Sequence, residues 1–408
     1  MPLAEVRALS LGRLEGDADV VGGVQVDSRR IRPGDLFVAV SGGEAFLVDA
    51  RSRGAGATLV PNDAHAALAA IASAVRARSD ARVVAITGSV GKTSTKDILA
   101  ALLRPHLRTV AAPRGFNNEI GLPLTLCAIE PDTEVVVTEM AMRGPGQIRE
   151  LARIARPHLG VITSIAPVHL EQLGSLANIA RAKAELLEEL PAGAVAILPE
   201  DAPDLESFVP QGLDVRRFAP PEAEVRDGRT VVHWHARDVE FGFAALHQAT
   251  NAAAALTAAQ ALGVEPPDTP VDVVFSRWRS QEADLPGGGL LINDAWNANP
   301  VAMRAALAHL LDRANGRRTV AILGEMAELG PDAPLYHGDV GKQAEAIDVV
   351  LGVGDLARGY GPDEWAPTAA EAIDVALALV RPGDAILVKG SRSVGLEVVA
   401  EALLGAAA

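Results

Sequence analysis

The sequence predicts an α/β protein built from three modules, and three observations carry that prediction. Short β-branched strands alternate with Ala- and Leu-rich helical stretches along all 408 residues. At RVVAITGSVGKTSTKDILAALL (82–103) a strand, a glycine loop and a helix follow one another without a break. After the proline-containing segment VEPPDTP (264–270) the alternation starts again.

The first unit, residues 1–78, contains strands at GDLFVAV (34–40) and ATLV (57–60) and a helix at DAHAALAAIASAVRAR (63–78). The second, residues 79–275, opens with the strand at 82–88 and its loop, and adds strands at TEVVVTEM (133–140) and LGVITSI (159–165). Residues 193–243 read as strands and turns, followed by a helix over 247–263. The third, residues 276–408, has strands at GLLIND (289–294), RTVAILG (318–324), DVVLGVG (348–354) and DAILVKG (384–390), a pattern that predicts a mostly parallel sheet. Hinges are expected near 78 and 276.

Composition excludes several classes. With 37 Lys plus Arg against 52 Asp plus Glu, the formal charge of −15 repels nucleic acid and anionic membranes. A phosphorylated ligand must therefore be held locally, by amides, metal or a few placed cations. The single cysteine, Cys127, rules out an internal disulfide and a Cys-based metal cluster. There is no run of 18 apolar residues and no signal-peptide pattern at the N-terminus, so the expectation is a cytoplasmic protein without membrane insertion.

The loop itself is unusual. A common P-loop spaces Gly, four residues, then Gly-Lys-Ser/Thr. Here only Ser89 and Val90 separate Gly88 from Gly91, so the loop is two residues short. Strand, loop and helix still aim the amides of 88–94 at a phosphate, with Lys92 on the outer phosphates and the Thr93 hydroxyl on Mg²⁺. An ordinary glycine turn competes with this reading, and the preceding apolar strand decides against it.

Glu139 ends one apolar strand, His169 follows another, and both fall on the loop's edge of the sheet. Singly they read as solvated strand ends; beside a P-loop, metal ligation is the better account. In NIARAKAELLEEL (178–190), Lys183 shares a helical face with Ile179, Leu187 and Leu190. The stripe alone fits both a snorkelling lysine and a desolvated, reactive amine. In the third unit NDAWNANPVAM (293–303), GEMAELG (324–330) and VKGSRSVGLE (388–397) follow strands. Asn297, Asn299, Ser391 and Arg392 there suit a peptide or a carboxylate, although such loops are also ordinary turns.

Taken in order, VDSRRIRPGDLFVAV, TGSVGKTSTKD, NNEIGLPLTL, TEMAMRGPGQI, APVHLEQLGS, NIARAKAEL, NDAWNANPVAM, GEMAELG and VKGSRSVGLE resemble the Mur ligases over nearly the whole chain. The short loop is that family's own form. The resemblance implies three domains: a small N-terminal UDP-binding α/β domain, a central P-loop mononucleotide-binding domain and a C-terminal Rossmann-like domain. It implies an ATP-dependent, ADP-forming ligase of peptidoglycan precursor synthesis that joins D-alanyl-D-alanine to UDP-N-acetylmuramoyl-tripeptide through an acyl phosphate, acting as a monomer.

By the same resemblance Lys183 is a carbamylated lysine that, with Glu139, His169 and Thr93, holds two Mg²⁺ ions. Asn251, Arg279 and Asp294 contact ATP beside the loop residues Gly88 to Ser94. Asp27, Ser28 and Arg29 hold UDP, and Asn117 and Asn118 lie on the substrate. The sequence departs from the family pattern at Ala141, Asn293, Trp296 and Gly395, and lacks an Asp-Gly-His near 41–55. A relative adding one amino acid or glutamate, and a nucleotide-binding scaffold that joins nothing, are the competing readings.

Overall fold

A computed structural model of the chain describes residues 1–168 and 170–406, and among these the strands form four sheets. The first sheet belongs to the N-terminal unit. Its elements are α1 (Leu3–Ala8), β1 (Gly12–Glu15), β2 (Val24–Gln25), β3 (Leu36–Val38), α2 (Leu47–Ser52), β4 (Ala57–Pro61) and α3 (Ala64–Ala77). The order is β1-β4-β3-β2, with β1 antiparallel to β4 and the other pairs parallel. Asp63 starts α3 by accepting a hydrogen bond from the Ala66 amide.

The central unit carries β5 (Arg82–Thr87), α4 (Lys92–Leu103), β6 (Thr109–Ala111), α5 (Gly121–Cys127), β7 (Val135–Glu139), α6 (Gln147–Ala155) and β8 (Leu159–Ile162). It continues with α7 (Leu170–Leu173), α8 (Leu176–Glu188), β9 (Val195–Pro199), α9 (Pro203–Glu206) and β10 (Asp214–Phe218). These strands make a parallel sheet in the order β10-β9-β8-β5-β7-β6. Strand β5 stands between β7 and β8, where the chain changes its direction of travel across the sheet. The carboxyl end of such a strand opens into a crevice, and that is where the glycine loop lies.

A meander of β11 (Ala223–Arg226), β12 (Arg229–Trp234) and β13 (Arg237–Phe241) follows. Helix α10 (Ala249–Ala261) then packs on α4. Its run Ala252–Ala255 is fully buried, and side chains of one carbon let the two helices approach closely.

The third sheet unit comprises β14 (Gln281–Leu285), β15 (Gly289–Asp294), α11 (Pro300–Ala314), β16 (Thr319–Gly324), α12 (Ala333–Ala344), β17 (Val349–Val353), β18 (Glu364–Ala366), α13 (Ala369–Leu379), β19 (Ala385–Lys389) and α14 (Glu397–Ala406). Its order is β14-β15-β19-β16-β17-β18, parallel except for β14 at one edge. Separate apolar clusters cover its two faces.

Packing distinguishes the two expected hinges. One apolar cluster runs unbroken from Leu3, Leu36 and Ile71 into Val83, Leu122 and Leu151, so the first and central units share a core across residue 78. Easy bending there is not what this packing supports. Near 276 no apolar cluster of the described residues spans the joint; its bridging contacts include the Ser276 amide donating to Asp97 Oδ2 at 2.9 Å, Arg114 Nη1 donating to the Arg277 carbonyl at 3.1 Å, and Ser280 Oγ lying 3.3 Å from His247 Nε2. Such contacts exchange with water at modest cost, so this joint is the freer one. Among the described residues no helix is long and apolar enough to cross a membrane.

Candidate active site

The shortened loop closes because its glycines press against two neighbours. Gly88 (φ +147°) leaves its missing Cβ position 2.0 Å from Thr163 Oγ1, and Gly91 (φ +89°) leaves its own 2.1 Å from Asn251 Oδ1. The segment after β8 clips the loop in place: the Ser89 amide donates to the Ser164 carbonyl, the Val90 amide to Ser164 Oγ, and Ser89 Oγ to the Ala166 carbonyl, all at 2.9–3.0 Å. The segment after β8 thus forms the far wall of the loop. Gly91 caps α4, so the amides of Lys92, Thr93 and Ser94 lack intrahelical acceptors and form the positive end of the helix.

A Cβ at Gly91 would meet Asn251 and add left-handed strain of roughly 1–2 kcal/mol. Gly91→Ala is therefore expected to raise the KM for ATP by about tenfold. An ATP titration of phosphate release checks it; an unchanged KM would show that the close approach is not needed.

Lys92 Nζ folds over the loop and donates to the carbonyls of Gly88 at 2.6 Å and Ser89 at 3.4 Å. Burial lowers its pKa to about 8, against the attraction of Glu139. Thr93 Oγ1 donates to Glu139 Oε2 and Asn117 Nδ2 to Glu139 Oε1, both at 2.9 Å. Glu139 is 3 % exposed, so these bonds fix a carboxylate at the end of β7, directly across from the loop. His169 lies outside the described residues.

Lys183 lies inside α8, 2 % exposed, among the buried Ile179, Ala180, Ala184 and Leu187. Burial lowers its pKa well below that of an ordinary lysine, and the Lys92 cation nearby adds to the effect. Among the described residues no carboxylate is bonded to it. The sequence stripe left two readings open, and this environment is that of a desolvated amine.

The C-terminal unit closes over the loop. Arg279, Asn297, Asn299 and Ala302 face Ser89 to Ser94 across a cleft of about 40 Å³. Arg279 Nε is buried without a hydrogen-bond partner among the described residues, and burial lowers the guanidinium's pKa although Asp294, Glu139 and Asp97 attract it. An unpartnered guanidinium opposite a helix N-terminus suits a multiply charged anion.

Asp294 is bound from the same unit: Lys389 Nζ donates to its Oδ2 at 2.5 Å and to the Asn297 carbonyl at 2.9 Å, and the Ser280 amide donates to Oδ1 at 3.2 Å. Lys389 lies outside the residues that the sequence pattern assigns to the site. Its signal was a lysine at the end of an apolar strand.

Other expected site residues are engaged within the protein. Asn251 donates to Gln248 Oε1 at 2.7 Å and stands behind Gly91. Asn299 caps α11 through the Ala302 amide, and Ser391 Oγ accepts from the Ala327 amide, both at 2.9 Å. Asn118 accepts from the Gly121 amide at 3.0 Å at the start of α5. Asn297 accepts from the Ala298 amide. Arg392 pairs with Glu397. In the N-terminal unit Asp27 is bound twice by the Arg29 side chain, which lowers its pKa to about 2, while Ser28 is buried and helps hold the Asp49 carboxyl below its ordinary pKa.

The chain matches the Mur ligase middle domain over residues 86–259 and the Mur ligase glutamate ligase domain over residues 277–392. It is 35 % identical to the UDP-N-acetylmuramoyl-tripeptide–D-alanyl-D-alanine ligase of Mycobacterium tuberculosis, covering 94 % of this chain and 92 % of that one. Against the ligase of the same name from Escherichia coli the identity is 32 %, with 98 % of both chains covered. The crystal structure of MurF from Acinetobacter baumannii superposes with a TM-score of 0.84 at 26 % identity, covering 99 % of this chain and 98 % of that one. The Thermotoga maritima MurF ligase in complex with ADP gives 0.81 at 28 %, covering 93 % and 96 %. With a shortened phosphate loop, a carboxylate opposite it and full-length identity above 30 %, the chain belongs to the Mur ligase family.

Proposed function

We infer that this chain joins D-alanyl-D-alanine to UDP-N-acetylmuramoyl-tripeptide at the expense of ATP, in cytoplasmic peptidoglycan precursor synthesis. The observation that carries the reading is one cleft where the short loop, Thr93 with its bond to Glu139 behind it, and Arg279, unpartnered at Nε among the described residues, meet, in a chain that matches ligases of this specificity end to end.

A carboxylate does not condense with an amine in water without activation. The tripeptide's terminal carboxylate attacks the γ-phosphorus of ATP, forming an acyl phosphate and releasing ADP. The dipeptide amine then attacks the acyl carbon, loses a proton, and inorganic phosphate departs. The chain's part is positioning and charge compensation. The α4 amides and Lys92 hold the phosphates, which replace the Gly88 and Ser89 carbonyls as Lys92's acceptors. Arg279 approaches from the opposite wall.

Two Mg²⁺ ions suit the donors: Thr93 and Glu139 offer oxygen to one, and carbamylated Lys183 with His169 would hold the other. Such ions offset the repulsion between carboxylate and phosphate. Reaction of neutral Lys183 with CO₂ forms an N–C bond and releases one proton, which turns the amine into an anionic oxygen donor.

Residues 1–78 would take the UDP end through Asp27, Ser28 and Arg29, residues 79–275 the ATP, and residues 276–408 the dipeptide, with Asn117, Asn118, Asn297, Asn299, Ser391 and Arg392 along the peptide path. All the named groups come from one chain, which supports action as a monomer.

The test is phosphate release from ATP with UDP-N-acetylmuramoyl-tripeptide, comparing D-alanyl-D-alanine with single amino acids and glutamate. Release that requires the dipeptide is expected. Release with a single amino acid instead would move the chain to another branch of the family, and release indifferent to any amine would end the ligase reading.

A further inference from the structure

Beside the phosphate cleft, four side chains from four separate loops meet in one stack. The Arg114 guanidinium carbon lies 4.3 Å from the ring centre of Trp278 and 4.5 Å from that of Trp296. Arg392 lies 5.0 and 5.5 Å from the same two rings, whose centres are 6.0 Å apart. Glu397, paired with Arg392, supplies a countercharge. Trp296 also covers Gly115, whose missing Cβ position is 3.8 Å from the ring.

Each member adjoins a residue of the site. Arg114 is three residues before Asn117, which binds Glu139. Trp278 precedes Arg279, Trp296 precedes Asn297, and Arg392 follows Ser391. Trp278 (φ +63°) and Ser280 (φ +46°) both adopt left-handed backbone, so Arg279 is presented from a constrained turn rather than a free linker.

The stack also crosses the freer joint of the molecule. Arg114 belongs to the central unit, whereas both tryptophans and Arg392 lie beyond residue 276. The cleft beneath is a narrow slot between Ser89–Ser94 on one side and Arg279, Asn297, Asn299 and Ala302 on the other. Any motion that carries the C-terminal unit away from the loop withdraws Arg114 from the two rings.

We propose that Arg114, Trp278, Trp296 and Arg392 form a positioning clasp that draws the C-terminal unit over the phosphate loop and sets Arg279 and Asn297 there. Arginine suits the central place because a planar, weakly hydrated guanidinium stacks on indole faces with less loss of hydration than a compact ammonium. The reaction so positioned rests on the ligase reading; the clasp itself does not.

The experiment uses the full chain carrying Trp234→Phe and Trp365→Phe, which leaves Trp278 and Trp296 as its only tryptophans, excited where tyrosine does not absorb. Acrylamide quenching without substrates reads the clasp, and phosphate release reads turnover. Arg114→Ala is expected to increase quenching and to lower kcat by about 10–100-fold, the cost of misplacing reacting groups by an ångström or so. The KM for ATP is expected to stay level or fall, because the cleft opens more readily. Arg114→Lys should recover only part of kcat, and the melting temperature should hardly move.

Unchanged quenching with Arg114→Ala overturns the clasp, as does a kcat loss matched by a loss of folded protein. Changed quenching in a protein whose parent shows no dipeptide-dependent turnover supports the clasp and overturns the ligase reading.

Discussion

Lys183→Ala is expected to lower ligase activity by at least about a hundredfold, and added formate or acetate to restore part of it. The reasoning starts from cost. A lysine at 2 % exposure among Ile179, Ala184 and Leu187, with the Lys92 cation nearby and no bonded carboxylate among the described residues, gains nothing by being charged. Burial disfavours its charged form, and the neutral amine is the form that adds CO₂. A small carboxylic acid in the space left by alanine would supply the lost oxygen donors.

The same lysine makes a second readout of opposite sign. Its folded pKa is depressed, so over the window between that value and the ordinary lysine pKa the unfolded chain holds a proton that the folded chain does not. Stability then rises with pH across the window and is complete only above the ordinary lysine pKa. In CO₂-free buffer at neutral pH, Lys183→Met should therefore melt at a higher temperature than the unsubstituted chain while being inactive. A variant that is both inactive and less stable would make Lys183 a structural residue, and full activity would remove the carbamate altogether.

How far the sequence carried this picture depends on how local each feature is. The strand, loop and helix at 82–103 were legible because their contacts are between near neighbours. The stripe placed Lys183 on an apolar face, but a helix drawn alone cannot show whether the amine reaches water. That needed Lys92 and the packed sheet. The use of Asn299 as a cap was legible and passed over, since Asn followed by Pro at the first helical position is a helix start. The core that joins residues 3–71 to the central sheet, the antiparallel edge strand β14, and the pairing of Asp294 with Lys389 across 95 positions depend on tertiary contacts that no local pattern encodes.

That last pair gives the other large effect expected. Asp294 and Lys389 are 8 % and 1 % exposed and end adjacent parallel strands, β15 and β19. Removing one member of a buried pair leaves the other charged group without compensation, so Lys389→Ala should cost about 3–5 kcal/mol of folding stability. Replacing both with uncharged groups of similar shape removes the orphan, and Asp294→Asn with Lys389→Met should regain most of that loss. Activity should not follow stability. Among the described residues Asp294 accepts from Lys389 and the Ser280 amide and attracts Arg279, and the proposed contact of its carboxylate with ATP is lost in the double variant however well it folds. Denaturant unfolding beside phosphate release separates the two roles: a double variant that regains stability and also turns over ATP at the original rate would show that Asp294 serves the fold alone.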